Sequence, residues 1–154
     1  MLCIVDLHSL CQGDSLRRDQ AHRGAVPLYE SLKSQFQMVA FSQEHEEIAN
    51  WWMKKERLPD WALLKVWEPE IWQSYEEWVV HQIGGFLAEG WEIAAYVDSN
   101  ADRIRAVREI HVTTMLLSYP ERGPGFYDPD KAPRAWAEVS ATVGESLGGD
   151  RGPG

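Results

Sequence analysis

The chain has 154 residues, of which 44% are hydrophobic and 25% are charged, and its formal net charge is −9. This length suits one compact domain with its own hydrophobic core. The acidic balance argues against general binding to nucleic acid or to acidic membranes, because like charges repel at long range. It leaves room for a small phosphorylated molecule held at one local site.

The two cysteines and the amino terminus indicate where the protein works. Cys3 and Cys11 are too few for a disulfide framework, which favours a reducing compartment. The amino terminus has no basic start and reaches an acid at Asp6, unlike a secretory signal. No apolar run reaches the ~18 residues of a membrane span. We therefore expect a cytoplasmic protein.

Strands and helices alternate along the chain. The apolar runs end on Gly, Pro or a polar residue, and the segments between them repeat apolar residues at helical spacing. The predicted elements of the first half are a strand over 1–7, a polar loop or small flap over 8–25, a helix over 26–35, a strand over 36–41 and a helix over 42–58. Ser42 is the predicted N-cap of the last of these helices, because its hydroxyl suits that position.

The second half continues the alternation. Its predicted elements are a strand over 62–67, a long amphipathic helix over 68–90, a strand over 91–97, a helix over 99–110 and a strand over 111–119. After Pro120 the chain turns to Gly, Pro and charge, with one docking helix predicted over 130–143. We therefore expect a single domain over 1–143 and a disordered tail over 144–154.

This alternation predicts an α/β fold with three layers, in which a parallel sheet has helices on both faces. Ligands of such sheets bind outside the carboxyl ends of the strands. Three predicted strands end at or just before Asp6, Ser42 and Asp98. The sequence therefore predicts one site shared by these three residues.

The order of these elements resembles the haloacid dehalogenase-like superfamily, in its capless or small-cap form, over about residues 1–119. The segment IAAYVDSNADRIRAVREIHVTTMLL is similar to that family's strand, acidic loop, helix and final strand. The segment EPEIWQ is similar to the proline-acid segment that opens the preceding helix. The resemblance implies a phosphatase with a Rossmann-like sheet.

The resemblance implies a metal-assisted chemistry for the acids. Asp6 would attack phosphorus and form an aspartyl-phosphate. Mg²⁺ would neutralise the phosphate, held by Asp6, the backbone carbonyl of His8 and Asp98. Asp102, one turn into the following helix, would support this metal site, although an acid there also stabilises the helix dipole.

The resemblance also implies groups that bind the phosphoryl oxygens. Ser42 would donate its hydroxyl beside a helix amino terminus, and Lys65 would stabilise the charge of the transition state. Lys65 stands about one residue out of the family's register, and an ordinary solvated lysine is the alternative. Arg17 and Arg18 would grip the substrate from the loop above the site, unless that loop is simply a solvated flap.

Several positions depart from the family pattern. His8 stands where the family has a second aspartate that transfers protons, and an imidazole is able to replace it. Ser9, Leu10 and Val97 replace residues that are usually Gly, Thr and Gly. The leading prediction is a Mg²⁺-dependent phosphatase acting on a nucleotide or a nucleic-acid end. The alternatives are a catalytically degenerate relative that still binds metal or phosphate, and a protein-interaction module on the same scaffold.

Overall fold

The computed structural model describes residues 1–119. The chain divides after Ser118 into two units, and Tyr119 is the one residue of the second unit that is described. The predicted docking helix over 130–143 and the predicted tail over 144–154 lie outside the described residues. The predicted boundary of the domain at residue 143 therefore stays a prediction.

A parallel sheet forms the centre of the first unit. Its strands are β1 (Leu2–Asp6), β2 (Gln37–Ser42), β3 (Leu63–Val66), β4 (Ile93–Asp98) and β5 (Thr114–Leu116). They lie in the order β3-β2-β1-β4-β5, and every neighbouring pair is parallel. The central position of β1 explains why it is apolar on both faces, since all five of its residues are buried. The predicted parallel sheet is confirmed.

Helices connect the strands. They are α1 (Ala25–Lys33), α2 (Glu46–Lys55), α3 (Tyr75–Ala88) and α4 (Ala101–Arg108), and a 3₁₀ turn over Leu7–Leu10 follows β1. Among residues 1–119, no helix is long and apolar enough to cross a bilayer.

Side chains of the sheet alternate between two hydrophobic clusters. Cys3 and Val5 of β1 pack into one cluster with α1 and α2, whereas Leu2 and Ile4 pack into the other with α3 and α4. This alternation is the period-two pattern of a strand buried on both faces. The three layers and the α/β class predicted from the sequence are confirmed.

Two helices, α2 and α3, begin a full turn or more later than the sequence predicts. Ser42 is not the N-cap of α2, because its hydroxyl accepts from the backbone N–H of Glu44 at 3.0 Å and donates to the Glu44 carbonyl at 2.9 Å. That local turn delays the helix to Glu46. The long helix begins at Tyr75 instead of residue 68, because Ser74 is its cap and accepts from the N–H of Glu77.

The segment over 8–25 is a loop that packs into the core. Leu10, Cys11 and Leu16 are fully or almost fully buried, and the N–H of His22 donates to the carbonyl of Leu10 at 2.9 Å. The segment is therefore solvated only in part, and its interpretation as simply a solvated flap is only partly correct. The loop is anchored by apolar side chains, which the preponderance of polar residues in the sequence concealed.

Candidate functional site

Two buried carboxylates meet at the carboxyl ends of the central strands. Asp6 ends β1 and Asp98 ends the neighbouring strand β4, and both are fully buried. The hydroxyl of Ser9 lies 2.7 Å from Asp6 Oδ2 and 3.0 Å from Asp98 Oδ1. A hydroxyl carries one proton, so it donates to one carboxylate at a time. The structure thus brings Asp6 and Asp98 together, as the sequence predicts.

Two tyrosines close the pair from the side. The Tyr75 hydroxyl donates to Asp6 Oδ1 at 2.6 Å, and the Tyr96 hydroxyl donates to Asp98 Oδ2. Burial raises the pKa of both phenols well above the ordinary value, and the charge of Asp6 adds to the rise. Both phenols therefore stay protonated and act as permanent donors.

Arg103 supplies the positive charge of the site. Its Nε lies 2.6 Å from Asp98 Oδ2, and its Nη2 lies 3.0 Å from Asp98 Oδ1 and 3.4 Å from Asp6 Oδ2. Its guanidinium carbon lies 5.0 Å from the centre of the Tyr75 ring. Burial acts to lower the Arg103 pKa, but the hydrogen bonds to Asp98 and the charge of Asp6 outweigh it and raise the pKa. The guanidinium therefore stays charged at every pH at which the protein is folded.

The backbone after β4 completes the cluster. The N–H of Asn100 donates to Asp98 Oδ1 at 2.9 Å, and the N–H of Ser99 donates to the Ser9 hydroxyl at 2.8 Å. The Asn100 side chain caps α4 by accepting from the N–H of Arg103 at 3.0 Å. The cap thus fixes the backbone from which the guanidinium reaches the two carboxylates.

The environment of Asp6 opposes its ionisation. Burial raises the pKa of its carboxyl, and the neighbouring charge of Asp98 raises it further. Arg103 and the hydroxyls of Tyr75 and Ser9 act in the opposite direction without reversing the shift. Burial and the charge of Asp98 thus make Asp6 a weaker acid than an ordinary aspartate.

His8 and Ser42 are the residues predicted to transfer protons and to bind the substrate. His8 is buried, and its Nε2 lies 3.7 Å from Glu44 Oε1, while its backbone carbonyl accepts from the N–H of Cys11 at 3.1 Å. The buried Ser42 hydroxyl forms the two bonds with the Glu44 backbone described above. The predicted roles of His8 in proton transfer and of Ser42 in substrate binding stay predictions.

The contacts of Lys65 and Asp102 involve other residues than the carboxylate pair. Lys65 Nζ lies 5.4 Å from the centre of the Phe86 ring, in a surface cavity of about 450 Å³ that also reaches Leu2 and Gln37. Those two residues begin β1 and β2, so the cavity reaches the amino ends of these strands. The Asp102 side chain is 75% exposed and lies 3.6 Å from Arg105. The predicted roles of Lys65 in catalysis and of Asp102 at a metal site stay predictions.

The loop arginines are exposed. Arg17 and Arg18 both lie in the solvated part of the segment over 8–25. Their predicted role in gripping a phosphorylated substrate stays a prediction.

The residues at the pair do not fit the Mg²⁺ that the resemblance implies. Mg²⁺ needs near-octahedral oxygen ligands at ~2.1 Å. The carboxylate oxygens that would face the ion instead accept from the guanidinium of Arg103, a cation of its own. Within residues 1–119, no group of three or more His, Cys, Asp or Glu side chains is arranged to hold a metal ion.

Four residues of the site are not among those that the sequence predicts to belong to it. They are Ser9, Tyr75, Tyr96 and Arg103. A signal existed for Tyr96, which precedes Asp98 by two residues and therefore shares its face of the strand. A signal also existed for Arg103, since an arginine in the first turn of a helix opposes the helix dipole and needs a local reason.

Comparison with solved structures supports the fold. One chain of the Pnkp1/Rnl/Hen1 RNA repair complex is similar with a TM-score of 0.59 and 14% identity, over 77% of this chain and 42% of that chain. A haloacid dehalogenase-like family hydrolase from Streptococcus pneumoniae is similar with a TM-score of 0.54 and 14% identity, over 71% of this chain and 52% of that chain.

A third similar structure is an L-2-haloacid dehalogenase from Xanthobacter autotrophicus with chloropropionic acid covalently bound. Its TM-score is 0.51 and its identity is 10%, over 86% of this chain and 52% of that chain. No protein-family model and no curated protein matches the sequence. This chain spans about half the length of the structures that it matches. The haloacid dehalogenase-like fold predicted from the sequence is confirmed.

Proposed function

We propose that this chain is a catalytically degenerate haloacid dehalogenase-like domain that acts by binding and does not hydrolyse phosphomonoesters. In this proposal the Asp6–Asp98 pair is a structural charge cluster at the carboxyl edge of the sheet. The fold is that of a hydrolase superfamily, but fold alone does not establish turnover. The environment of the Asp6 carboxyl distinguishes binding without hydrolysis from hydrolysis.

The observation that carries the proposal is the environment of Asp6, which stands at the nucleophile's position. Its side chain is fully buried, Oδ1 accepts from Tyr75 at 2.6 Å, and Oδ2 lies 2.7 Å from the Ser9 hydroxyl. A carboxylate nucleophile must be ionised and must present a lone pair in line with phosphorus. Donors on both oxygens weaken the nucleophile, and the raised pKa of Asp6 disfavours the ionised form.

The competing function is the Mg²⁺-dependent phosphatase implied by the resemblance. The observation in its favour is that Asp6 and Asp98 end neighbouring strands of the appropriate fold. Its substrate would be a phosphomonoester, such as a nucleotide or a nucleic-acid end. A small phosphorylated ligand also suits the binding role, because the net charge of −9 disfavours extended contact with nucleic acid.

The location that we propose is the cytoplasm. The chain has two cysteines, Cys3 and Cys11, and both are buried. Two cysteines are too few for the disulfide framework of a small secreted domain, which suits a compartment that keeps thiols reduced.

Phosphate release decides between the two functions. Wild type and Asp6→Asn are incubated with a broad panel of phosphomonoesters and nucleotides, each with Mg²⁺ and with a chelator. We expect no release that depends on Asp6. Release by wild type that is lost in Asp6→Asn would overturn the proposal and establish a hydrolase, provided that both proteins show the same far-UV circular dichroism.

A further inference from the structure

The Asp6–Asp98 pair needs a positive partner. Two carboxylates that are fully buried a few ångströms apart repel each other and lose their hydration, which costs several kcal/mol per ion. The tyrosine and serine hydroxyls donate hydrogen bonds but bring no net charge. A cation in contact with both groups supplies the compensating charge whenever both are ionised.

Arg103 occupies the position that such a cation requires. Its Nη2 contacts one oxygen of each carboxylate, at 3.0 Å for Asp98 Oδ1 and 3.4 Å for Asp6 Oδ2. A divalent ion bridging the pair would take these same two oxygens as ligands at ~2.1 Å, and both already accept from this nitrogen. The guanidinium and a bridging metal ion therefore compete for the same oxygens.

The position of Arg103 is held by the fold. The Arg103 N–H is bound by the Asn100 cap, the Nε makes a second bond to Asp98, and the Tyr75 ring lies against the guanidinium. Only 16% of the side chain is exposed. A guanidinium does not lose its proton in proteins, so this charge persists at every accessible pH.

We propose that Arg103 is the permanent counter-cation of the Asp6–Asp98 pair, replacing a divalent metal ion, and that removing it creates a divalent-cation site. The inference deepens the proposed function and rests on it for the structural role of Asp6. It goes beyond the proposed function because it identifies the cation that neutralises the pair. The stability of the wild-type chain then does not depend on divalent cations. One substitution, at Arg103, makes the two carboxylates available to a divalent cation.

The test compares wild type, Arg103→Ala and Arg105→Ala. Arg105 is the matched control, because it lies on the same helix, is exposed, and pairs only loosely with Asp102 at 3.6 Å. Each protein is titrated with Mn²⁺ and with Mg²⁺ by calorimetry at constant ionic strength. We expect Arg103→Ala to bind Mn²⁺ at least about tenfold more tightly than wild type or Arg105→Ala. Adding Asp98→Asn to Arg103→Ala should abolish that gain.

Thermal midpoints with metal and with a chelator give a second readout. Wild type and Arg105→Ala should show no difference between the two conditions, whereas metal should raise the midpoint of Arg103→Ala. If Arg103→Ala is unfolded in chelator, metal-driven recovery of its circular dichroism gives the same support. If it is unfolded in both conditions, Arg103→Gln is used, since it removes the charge and keeps a hydrogen-bonding side chain.

Two results overturn the inference. One is metal binding by wild type that disappears in Asp98→Asn, because a metal ion would then be accommodated beside Arg103. The other is the absence of any metal response in both Arg103 variants. Metal-independent phosphate release by wild type would overturn only the proposed function, so the two failures are distinguishable.

Discussion

Arg103 and Asp98 form a two-point ion pair across the start of α4. Nε and Nη2 of the arginine bind Oδ2 and Oδ1 of the aspartate at 2.6 and 3.0 Å. The two residues are five positions apart, and the Asn100 cap between them sets the backbone geometry. The pair therefore couples the end of β4 to the first turn of α4, and its third contact, to Asp6, extends that coupling to β1.

Loss of the arginine should strongly destabilise the protein in the absence of divalent cations. Arg103→Gln leaves Asp6 and Asp98 buried without a counter-cation, and breaking such a pair costs about 3–5 kcal/mol. Urea unfolding in a chelator measures the loss in the free energy of unfolding. Arg105→Ala, on the exposed face of the same helix, should change it by less than about 0.5 kcal/mol. Equal effects of the two substitutions would contradict a central role for Arg103.

The Tyr75 hydroxyl should contribute through its hydrogen bond to Asp6. Tyr75→Phe keeps the ring stacked on Trp78 at 5.6 Å and removes only the donor. Asp6 is fully buried, and a buried acceptor that loses its donor costs about 1–3 kcal/mol, so we expect a loss of about 2 kcal/mol. Tyr29→Phe is the control, because the buried Tyr29 hydroxyl donates to the neutral carbonyl of Pro59 and should cost about 1 kcal/mol. A smaller loss for Tyr75→Phe than for Tyr29→Phe would count against a stabilising bond between Tyr75 and Asp6.

The sequence was sufficient for the fold because the fold depends on repeated patterns. Apolar runs that end on acids, separated by helical periodicity, are enough to predict a parallel sheet and the convergence of Asp6 with Asp98. Helix starts were less accurate, since Ser42 and Ser74 are equally good caps by residue type. The turn that Ser42 forms with the Glu44 backbone is a local competition between two hydrogen-bonding arrangements, which residue type does not resolve.

The site was only half predictable for a different reason. The resemblance assigns positions to metal ligands but none to an arginine. The sequence therefore marks Arg103 only as a residue of the predicted helix over 99–110. Order along the chain points to Lys65 as the catalytic lysine, but the position of its side chain depends on which face of β3 it occupies, and its Nζ lies over the Phe86 ring. Charge complementarity between distant residues, such as Asp6 and Arg103, depends on tertiary geometry.

Restoring the family's aspartate at position 8 should not restore hydrolysis. His8→Asp leaves both oxygens of Asp6 bound by Tyr75 and Ser9, so we expect no phosphate release with Mg²⁺. It also places a carboxylate beside Glu44, whose Oε1 lies 3.7 Å from the His8 imidazole. We therefore expect His8→Asp to be less stable than the neutral control His8→Asn by about 1 kcal/mol at neutral pH.

Two assays check this expectation. Phosphate release is measured as for wild type, and urea unfolding compares the two substitutions. Mg²⁺-dependent release by His8→Asp that is lost on adding Asp6→Asn would show that position 8 alone limits an otherwise competent nucleophile.

The raised pKa of Asp6 predicts how stability changes with pH. Burial and the charge of Asp98 make the native carboxyl hold its proton more tightly than the unfolded one does. Between the unfolded pKa near ~4 and the higher native pKa, the native state therefore binds more protons, and stability falls as pH rises. The contribution of Asp6 is fully present below about pH 4 and is lost as the pH passes through the native pKa.

The measurement is the free energy of unfolding of wild type minus that of Asp6→Asn across the acidic and neutral range. The subtraction cancels the carboxyl groups that do not interact with Asp6. We expect the difference to decline with rising pH, with a slope of at most about 1.4 kcal/mol per pH unit, and then to level off. A difference that rises with pH would mean that the donors on Asp6 outweigh its burial and the charge of Asp98. Asp6 would then be an ordinary ionised carboxylate, the state that a nucleophile needs.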